Sequence, residues 1–278
     1  MKRLYLIVLI CNLLTVSTFA YEHKPKEYWL PDYKEKVGLM YGFNFDAISN
    51  YIWRGFYVGG LGFQTDATIG YGGLYLNMWW NVSSTDWKFK ALNPEVDLAI
   101  GFSRWGLNVY FIQMYYFDHY ADGSMSRFFD YDNHEPGGGG TTSEWRISYR
   151  VSDNLPLSIL LCTRTFGRDG YYNEKGELKR AYSSYIELGY DFKLPYDLCL
   201  VTRLGMTPWT SFYTGFKGTF AVCNITAKLT WSYELSSHWV VSPFAHLMLN
   251  PYDLSHDACI NGKNNPVLWN VGCSFQLK

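Results

Sequence analysis

The stretch "EWRISYRV", residues 144–151, decides the fold. Trp145, Ile147, Tyr149 and Val151 alternate with Glu144, Arg146, Ser148 and Arg150. Successive side chains of a strand leave opposite faces, so one face here is apolar and the other polar and charged. If the apolar face meets lipid, the opposite register would put two arginines there, at about 2 to 4 kcal/mol each near the bilayer midplane. The register is therefore fixed by charge.

The same period of two runs through the chain. Ala221, Cys223, Ile225, Ala227, Leu229, Trp231 and Tyr233 alternate with Asn224, Thr226, Lys228, Thr230, Ser232 and Glu234. Leu74, Leu76, Met78, Trp80 and Val82 stand against Asn77, Asn81 and Ser83. From Leu39 the odd positions read Leu39, Tyr41, Phe43, Phe45, Ala47, Ser49, Tyr51 and Trp53, against Gly42, Asn44, Asp46, Asn50 and Arg54. This pattern predicts about twelve strands, near 37–55, 62–71, 74–83, 94–103, 107–117, 143–152, 156–165, 181–192, 197–206, 220–234, 239–249 and 266–277. Most are close to the roughly 9 to 11 residues that a tilted spanning strand needs. The connections "GYGG", "SRWG", "SDNL", "KLPYD" and "LSSH" are tight, whereas 118–142, 166–180, 207–219 and 250–265 are long. Short turns at one end and long loops at the other predict an all-β, transmembrane antiparallel barrel with periplasmic turns and extracellular loops.

Composition agrees. Aromatic residues make up 19% of the 278 residues, with 24 Tyr, 18 Phe and 11 Trp, more than one core needs, and such rings gather where apolar meets wet. The formal net charge of -1 gives no basic face for nucleic acid. Met1-Lys2-Arg3, the apolar run Leu4 to Leu14 and "TVSTFA" with Thr18 and Ala20 read as a secretory signal peptide over 1–20. A polar periplasmic tail over 21–36 follows, and the barrel occupies 37–278. Beyond the signal, no run reaches the about 20 apolar residues of a spanning helix, so membrane residence requires a closed barrel of strands. The location expected is the bacterial outer membrane. Once Cys11 leaves with the signal, Cys162, Cys199, Cys223, Cys259 and Cys273 remain, an odd set without metal-ligand spacing. They read as small apolar thiols, and no metal or cofactor is expected.

The last strand, "NVGCSFQL" (270–277), places Asn270, Gly272, Phe275 and Leu277 in an order that resembles the C-terminal assembly signal of outer-membrane barrels, though Lys278 follows the final apolar residue. That resemblance implies the barrel assembly machinery as a partner, beside membrane lipids. The N-terminal half resembles the TorF-like porins, the Gcw family of conserved proteobacterial proteins, which open with an "SdYvfRG" motif. Here the motif is "SNYIWRG", Ser49 to Gly55, followed by "GGLYLNMWWN" (72–81) and "PEVDLAIGF" (94–102). The resemblance implies location and fold, and carries over no catalytic residue.

Carried through each strand, the parity sends Asp46, Asp66, Glu95 and Asp97 into the lumen from the early strands. From the later ones it sends Arg146, Arg150, Arg164, Arg203, Lys228 and His246, with Glu144, Glu187, Asp191 and Glu234 on the same wall. These groups either fill the lumen as ion pairs or set a transverse field across a watery constriction. Twelve strands about 4.8 Å apart and tilted about 40° give a barrel roughly 24 Å across, which leaves a channel of at most about 10 Å. Tyr51, Trp53, Trp80, Trp145, Trp231 and Trp269 are expected at the membrane interface, facing lipid. Arg54, beside Trp53, then points inward near the extracellular mouth, toward Asp66 or Glu95.

Ser242 and His246 share a face but lie about 13 Å apart along one strand. An embedded lipid hydrolase would need a cross-strand serine such as Ser274 to meet His246. In the longest loop "FFDYDNHEPGGGG" (128–140) gathers Asp130, Asp132, Asn133 and Glu135, read as a solvated acidic tip before a glycine hinge at 137–140. The function expected is a narrow pore for small polar or charged solutes. The alternatives are a closed, partner-binding barrel, a membrane-embedded hydrolase, and a secreted lipocalin-like or sandwich protein. Location separates the last of these. The chain should appear as a heat-modifiable species in outer-membrane fractions, with labels in 118–142 reachable from outside intact cells. Recovery as a soluble periplasmic protein would end the barrel reading.

Overall fold

The computed structural model describes residues 39–85, 91–118, 123–131, 140–152, 154–218, 220–256 and 266–277. The signal and tail segments, Cys259, Lys278 and the loop residues Asp132, Asn133, Glu135 and 137–139 lie outside the described residues. The strands are β1 (Leu39–Ile48), β2 (Tyr51–Trp53), β3 (Phe56–Gly59), β4 (Gly62–Tyr71), β5 (Leu74–Ser84), β6 (Leu92–Arg104), β7 (Leu107–Tyr116), β8 (Thr141–Arg150) and β9 (Leu157–Gly167). They continue with β10 (Gly170–Tyr172), β11 (Leu178–Arg180), β12 (Ser184–Lys193), β13 (Leu198–Thr207), β14 (Ala221–Trp231), β15 (Tyr233–Glu234), β16 (Trp239–Leu249) and β17 (Val267–Leu277). A helix, α1 (Pro251–His256), and a 3-10 turn, Phe212–Thr214, lie in loops.

Twelve of these strands form the wall. Their order is β14-β13-β12-β9-β8-β7-β6-β5-β4-β1-β17-β16, and β16 returns to β14, so the sheet closes and no wall strand is left as an edge. Every neighbouring pair is antiparallel, and the seam pairs Phe43 with Leu277 and Ile48 with Gly272. Phe45 stacks on Phe63 of β4 at 5.4 Å and, across the seam, tilts against Phe275 of β17 at 6.2 Å. No helix among the described residues is long and apolar enough to cross a membrane.

Burial follows the alternation. On β8, Trp145, Ile147 and Tyr149 are exposed on the outside while Glu144, Ser148 and Arg150 are buried within. Leu76, Ile100, Leu161, Leu188, Ile225 and Leu247 are likewise exposed on the outer surface. A closed sheet with an apolar outside and a polar inside satisfies its own backbone and is suited to lipid. The protein is a transmembrane β-barrel of the outer-membrane kind.

The structure corrects the first strand. It was expected over 37–55, but β1 ends at Ile48, and residues 49–61 leave the wall as a hairpin of β2 and β3. Arg54 (φ 45°) and Gly55 (φ 89°) form its two-residue turn, both with the positive φ that such tight hairpins demand. The hairpin bends into the barrel: Tyr51, Ile52, Arg54 and Phe56 are all buried. The strand expected over 220–234 also divides, into β14 and the short β15, so Glu234 is exposed at a turn and not in the lumen.

Ile147, toward the middle of the outer face of β8, tests the assignment of faces. Ile147→Arg should lower the unfolding free energy in lipid vesicles by about 2 to 4 kcal/mol, measured by urea titration. A change under about 0.5 kcal/mol would mean that this face does not meet lipid.

Candidate functional site: the lumen and its inward hairpin

The hairpin is tied at its root before it crosses the lumen. Asn270 of β17 accepts from the Ser49 amide at 3.2 Å, the Ser49 hydroxyl at 3.2 Å and the Asn50 amide at 3.3 Å. Asn50 Nδ2 donates to the Trp269 carbonyl at 3.0 Å, and Asn93 Nδ2 of β6 donates to the Val58 carbonyl at 3.1 Å. Thus Asn270, expected as part of an assembly signal, also fixes where the hairpin leaves the wall.

The tip reaches the far side of the ring. Arg54 Nη1 donates to Glu144 Oε2 of β8 at 3.2 Å and to the Tyr213 hydroxyl at 2.6 Å. Arg54 Nη2 meets Cys162 Sγ of β9 at 3.0 Å. The guanidinium carbon stands 4.6 Å from the ring centres of both Trp53 and Tyr185. Gly55 donates its amide to Met248 Sδ at 3.0 Å and accepts from Asn250 Nδ2 at 3.2 Å. A Cβ at Gly55 would lie 2.1 Å from the Cys223 carbonyl oxygen of β14, so only glycine fits the turn against that wall. Since β9 lies half-way round the ring from β1, the hairpin is a chord across the barrel.

Around the tip the lumen is filled by a buried cluster of side chains. Phe56, Leu160, Cys162, Tyr185, Tyr213 and Cys223 form one buried cluster, with Trp53, Val58 and Phe212 against it. Tyr213 and Phe212 come from the 3-10 turn in the loop between β13 and β14. Burial holds the Tyr213 and Tyr51 phenols above their ordinary pKa, so both keep their protons. Glu144, 0% exposed, anchors this region, because Arg146 Nε at 2.8 Å and Arg164 Nε at 3.5 Å join Arg54 on its carboxylate.

Beneath the hairpin a cavity of about 290 Å³ extends toward the short-turn end. Of the residues expected to line a pore, Asp46, Arg54, Asp66, Glu95, Asp97, Arg146, Glu187, Arg203, Lys228 and His246 border it. Glu144, Arg150 and Arg164 face inward but are buried in ion pairs, Arg150 with Asp191 at 3.4 Å. Arg203 pairs with Asp191 at 2.7 Å and lies 3.6 Å from Glu187. On the opposite side Asp66 accepts from Asn77 at 3.1 Å, and Asp46 from Asn44 at 2.7 Å. Carboxylates held by amides thus face carboxylates held by guanidinium groups.

Three expectations change. Tyr51 and Trp53 are not at the lipid interface, because the segment that carries them turned inward: Tyr51 is buried against Trp79 at 5.6 Å and Trp53 against Tyr213 at 6.1 Å. Trp80, Trp145 and Trp269 are exposed on the outside, and Trp231 is half-buried. Sequence reading missed the rim at the short-turn end, where Tyr41, Tyr71, Trp105, Tyr149, Tyr196 and Tyr233 are exposed. Arg54 points inward, but its tip travels across the barrel to Glu144 on β8 and not merely to the neighbouring early strands. Finally, the hydrolase pairing does not form. The register sets Ser274 opposite Ser242 and His246 opposite Asn270, while Ser274 donates to Asn44 at 2.7 Å.

No protein-family model matches the chain, and no curated protein matches it significantly. Among solved structures, the NanC porin in a rhombohedral crystal form is similar at a TM-score of 0.45 and 12% identity, covering 86% of this chain and 100% of that one. OmpF of Salmonella typhi in complex with daunomycin gives 0.39 and 9% identity over 86% of this chain and 98% of that one. The toluene transporter TodX of P. putida gives 0.39 and 8% over 87% and 90%. These are distant likenesses of one barrel to another.

Glu144→Gln should release the hairpin, because three buried guanidinium groups would lose their shared countercharge at a cost of about 3 to 5 kcal/mol. Trypsin added outside vesicles should then cut after Arg54, giving a fragment that begins at Gly55. If the variant resists cleavage there as the wild type does, the carboxylate does not hold the hairpin.

Proposed function

We propose that the protein is an outer-membrane channel for small polar or charged solutes, closed in this conformation by the 49–61 hairpin. One observation carries the reading: a cavity lined by charged, polar and aromatic side chains runs up from the short-turn end and stops at the underside of a hairpin tied to the wall at its root and its tip. A barrel built only as a scaffold has no need of such space, since side chains can fill it. Asp46, Asp66, Glu95 and Asp97 on one wall and Arg203 and Lys228 on the other set a transverse field, which favours charged and dipolar solutes over apolar ones. The resemblance of "SNYIWRG" to the opening motif of the TorF-like porins supports the same reading, since those residues make up much of the hairpin.

The remaining assignments belong with this proposal. Residues 1–20 act as an export signal and 21–36 as a periplasmic tail, and the 270–277 strand presents Gly272, Phe275 and Leu277 to the barrel assembly machinery. A second reading, a closed barrel whose loops bind a partner, is favoured by the buried cluster around the hairpin tip.

Planar bilayers separate the two. The wild type should conduct little or flicker, and replacing 52–57 by a two-glycine linker should give stable openings. In that background Arg203→Ala should move the reversal potential toward cation preference, since lumen charge tunes selectivity. A correctly folded, hairpin-shortened barrel that still passes no current would leave the partner-binding reading.

A further inference from the structure

The acid wall carries a pair of carboxyl groups outside the ion-pair network, one of which, Glu95, is met by the Tyr51 hydroxyl of the hairpin and by the Tyr116 hydroxyl. Glu95 and Asp97 stand two apart on β6, so both side chains leave the same face, and both border the cavity. They are 2% and 8% exposed. Glu95 Oε2 and Asp97 Oδ1 accept no hydrogen bond among the described residues. Every other buried lumen carboxylate on the later wall is matched to guanidinium: Glu144, Glu187 and Asp191 each lie within ion-pair distance of arginine. No lysine, arginine or histidine among the described residues stands in an ion pair with Glu95 or Asp97. Two adjacent carboxylates, each with an idle oxygen, are costly out of bulk water unless a proton or a cation joins them.

Their surroundings indicate which kind of cation. The cross-strand partner of Asp97 is Trp79 of β5, and the Trp79 ring lies 5.6 Å from Tyr51 on the hairpin, with both rings on the same cavity. Aromatic faces beside carboxylate oxygens suit an ammonium or guanidinium group, whose N–H bonds take the oxygens while its charge and carbon stem lie on the rings. A hard metal ion instead gathers six or more oxygen ligands. Among the described residues no group of three or more His, Cys, Asp or Glu is placed to hold one.

We propose that Glu95, Asp97, Trp79 and Tyr51 form a binding site for organic cations bearing a primary ammonium or guanidinium group. The site names a solute class for the channel and rests on that reading for access from the short-turn end. Because Tyr51 belongs to the hairpin, the bound cation touches both the wall and the segment that closes it.

The test uses the full mature chain in detergent, with n-butylammonium chloride as probe at constant ionic strength. Calorimetry and tryptophan fluorescence should both show saturable binding. Asp97→Asn should weaken it at least about tenfold, the size of one charge-assisted hydrogen bond, and Glu95→Gln combined with Asp97→Asn should remove it. Heat-modifiability reports folding; should the double variant fail to fold, Asp97→Asn alone decides. Non-saturable binding, or an affinity unchanged in Asp97→Asn, would overturn the proposal. Calcium chloride binding more tightly than butylammonium would also overturn it, in favour of a metal site. Binding without conductance in any hairpin variant removes the channel and leaves the site standing, whereas conductance without binding removes the site alone.

Discussion

Three guanidinium groups share one buried carboxylate. Arg146 and Arg164 come from the wall beside Glu144, and Arg54 arrives from the other side of the barrel. Burying charge is costly, and such a cluster is stable only when its members are all present and well placed. Arg54 is therefore not an ornament on a loop; it supplies one of the positive charges around Glu144 while filling the space between Trp53 and Tyr185. The rest of the upper lumen is arranged about that placement. Tyr213 comes down from its loop to accept from Arg54, and Phe212 follows it to cover Arg164 at 4.1 Å.

This arrangement divides the interior into two regions with different physics. Above, aromatic and sulfur-bearing side chains exclude water, so electrostatic interactions there are strong and geometrically exacting. Below, amides, hydroxyls and charged groups border open space beside aromatic rings. The carboxylates sort accordingly. Glu144 lies in the dry region with guanidinium partners, whereas Asp46 and Asp66 lie in the wet one with amides. A barrel of twelve strands is wide enough to hold both regions, where an eight-stranded one would be filled throughout.

The wall was legible in the sequence because lipid enforces it. Each outward position must be apolar and each inward one has no such requirement, so "EWRISYRV" shows its faces without any knowledge of its neighbours. The hairpin was not legible for the same reason. Inside the barrel both faces of Tyr51 to Gly59 meet protein, and the alternation that begins in β1 simply runs on through Ser49, Tyr51 and Trp53. Two cues were present. A segment over 37–55 is about twice the length a spanning strand needs, and the pair Arg54-Gly55 stands between the rings of Trp53 and Phe56, as a tight two-residue turn would have it. Lumen parity identified the charged residues but not their partners. Pairing depends on which strands face one another across the ring, and strand-by-strand reading contains no such distance.

The chord has a consequence for the order of events during assembly. The hairpin is made early and lies near the start of the barrel, yet the Arg54 contact with Glu144 spans 90 residues and the Gly55 contact with Met248 spans 193. The root depends on Asn270, 221 residues on from Ser49. Contacts of such separation form late, because the intervening chain must first be ordered. The hairpin can therefore complete its root contacts only once β1 and β17 have met. Until then the nascent sheet keeps two free edges, and closing the seam and seating the hairpin are successive steps of one folding reaction.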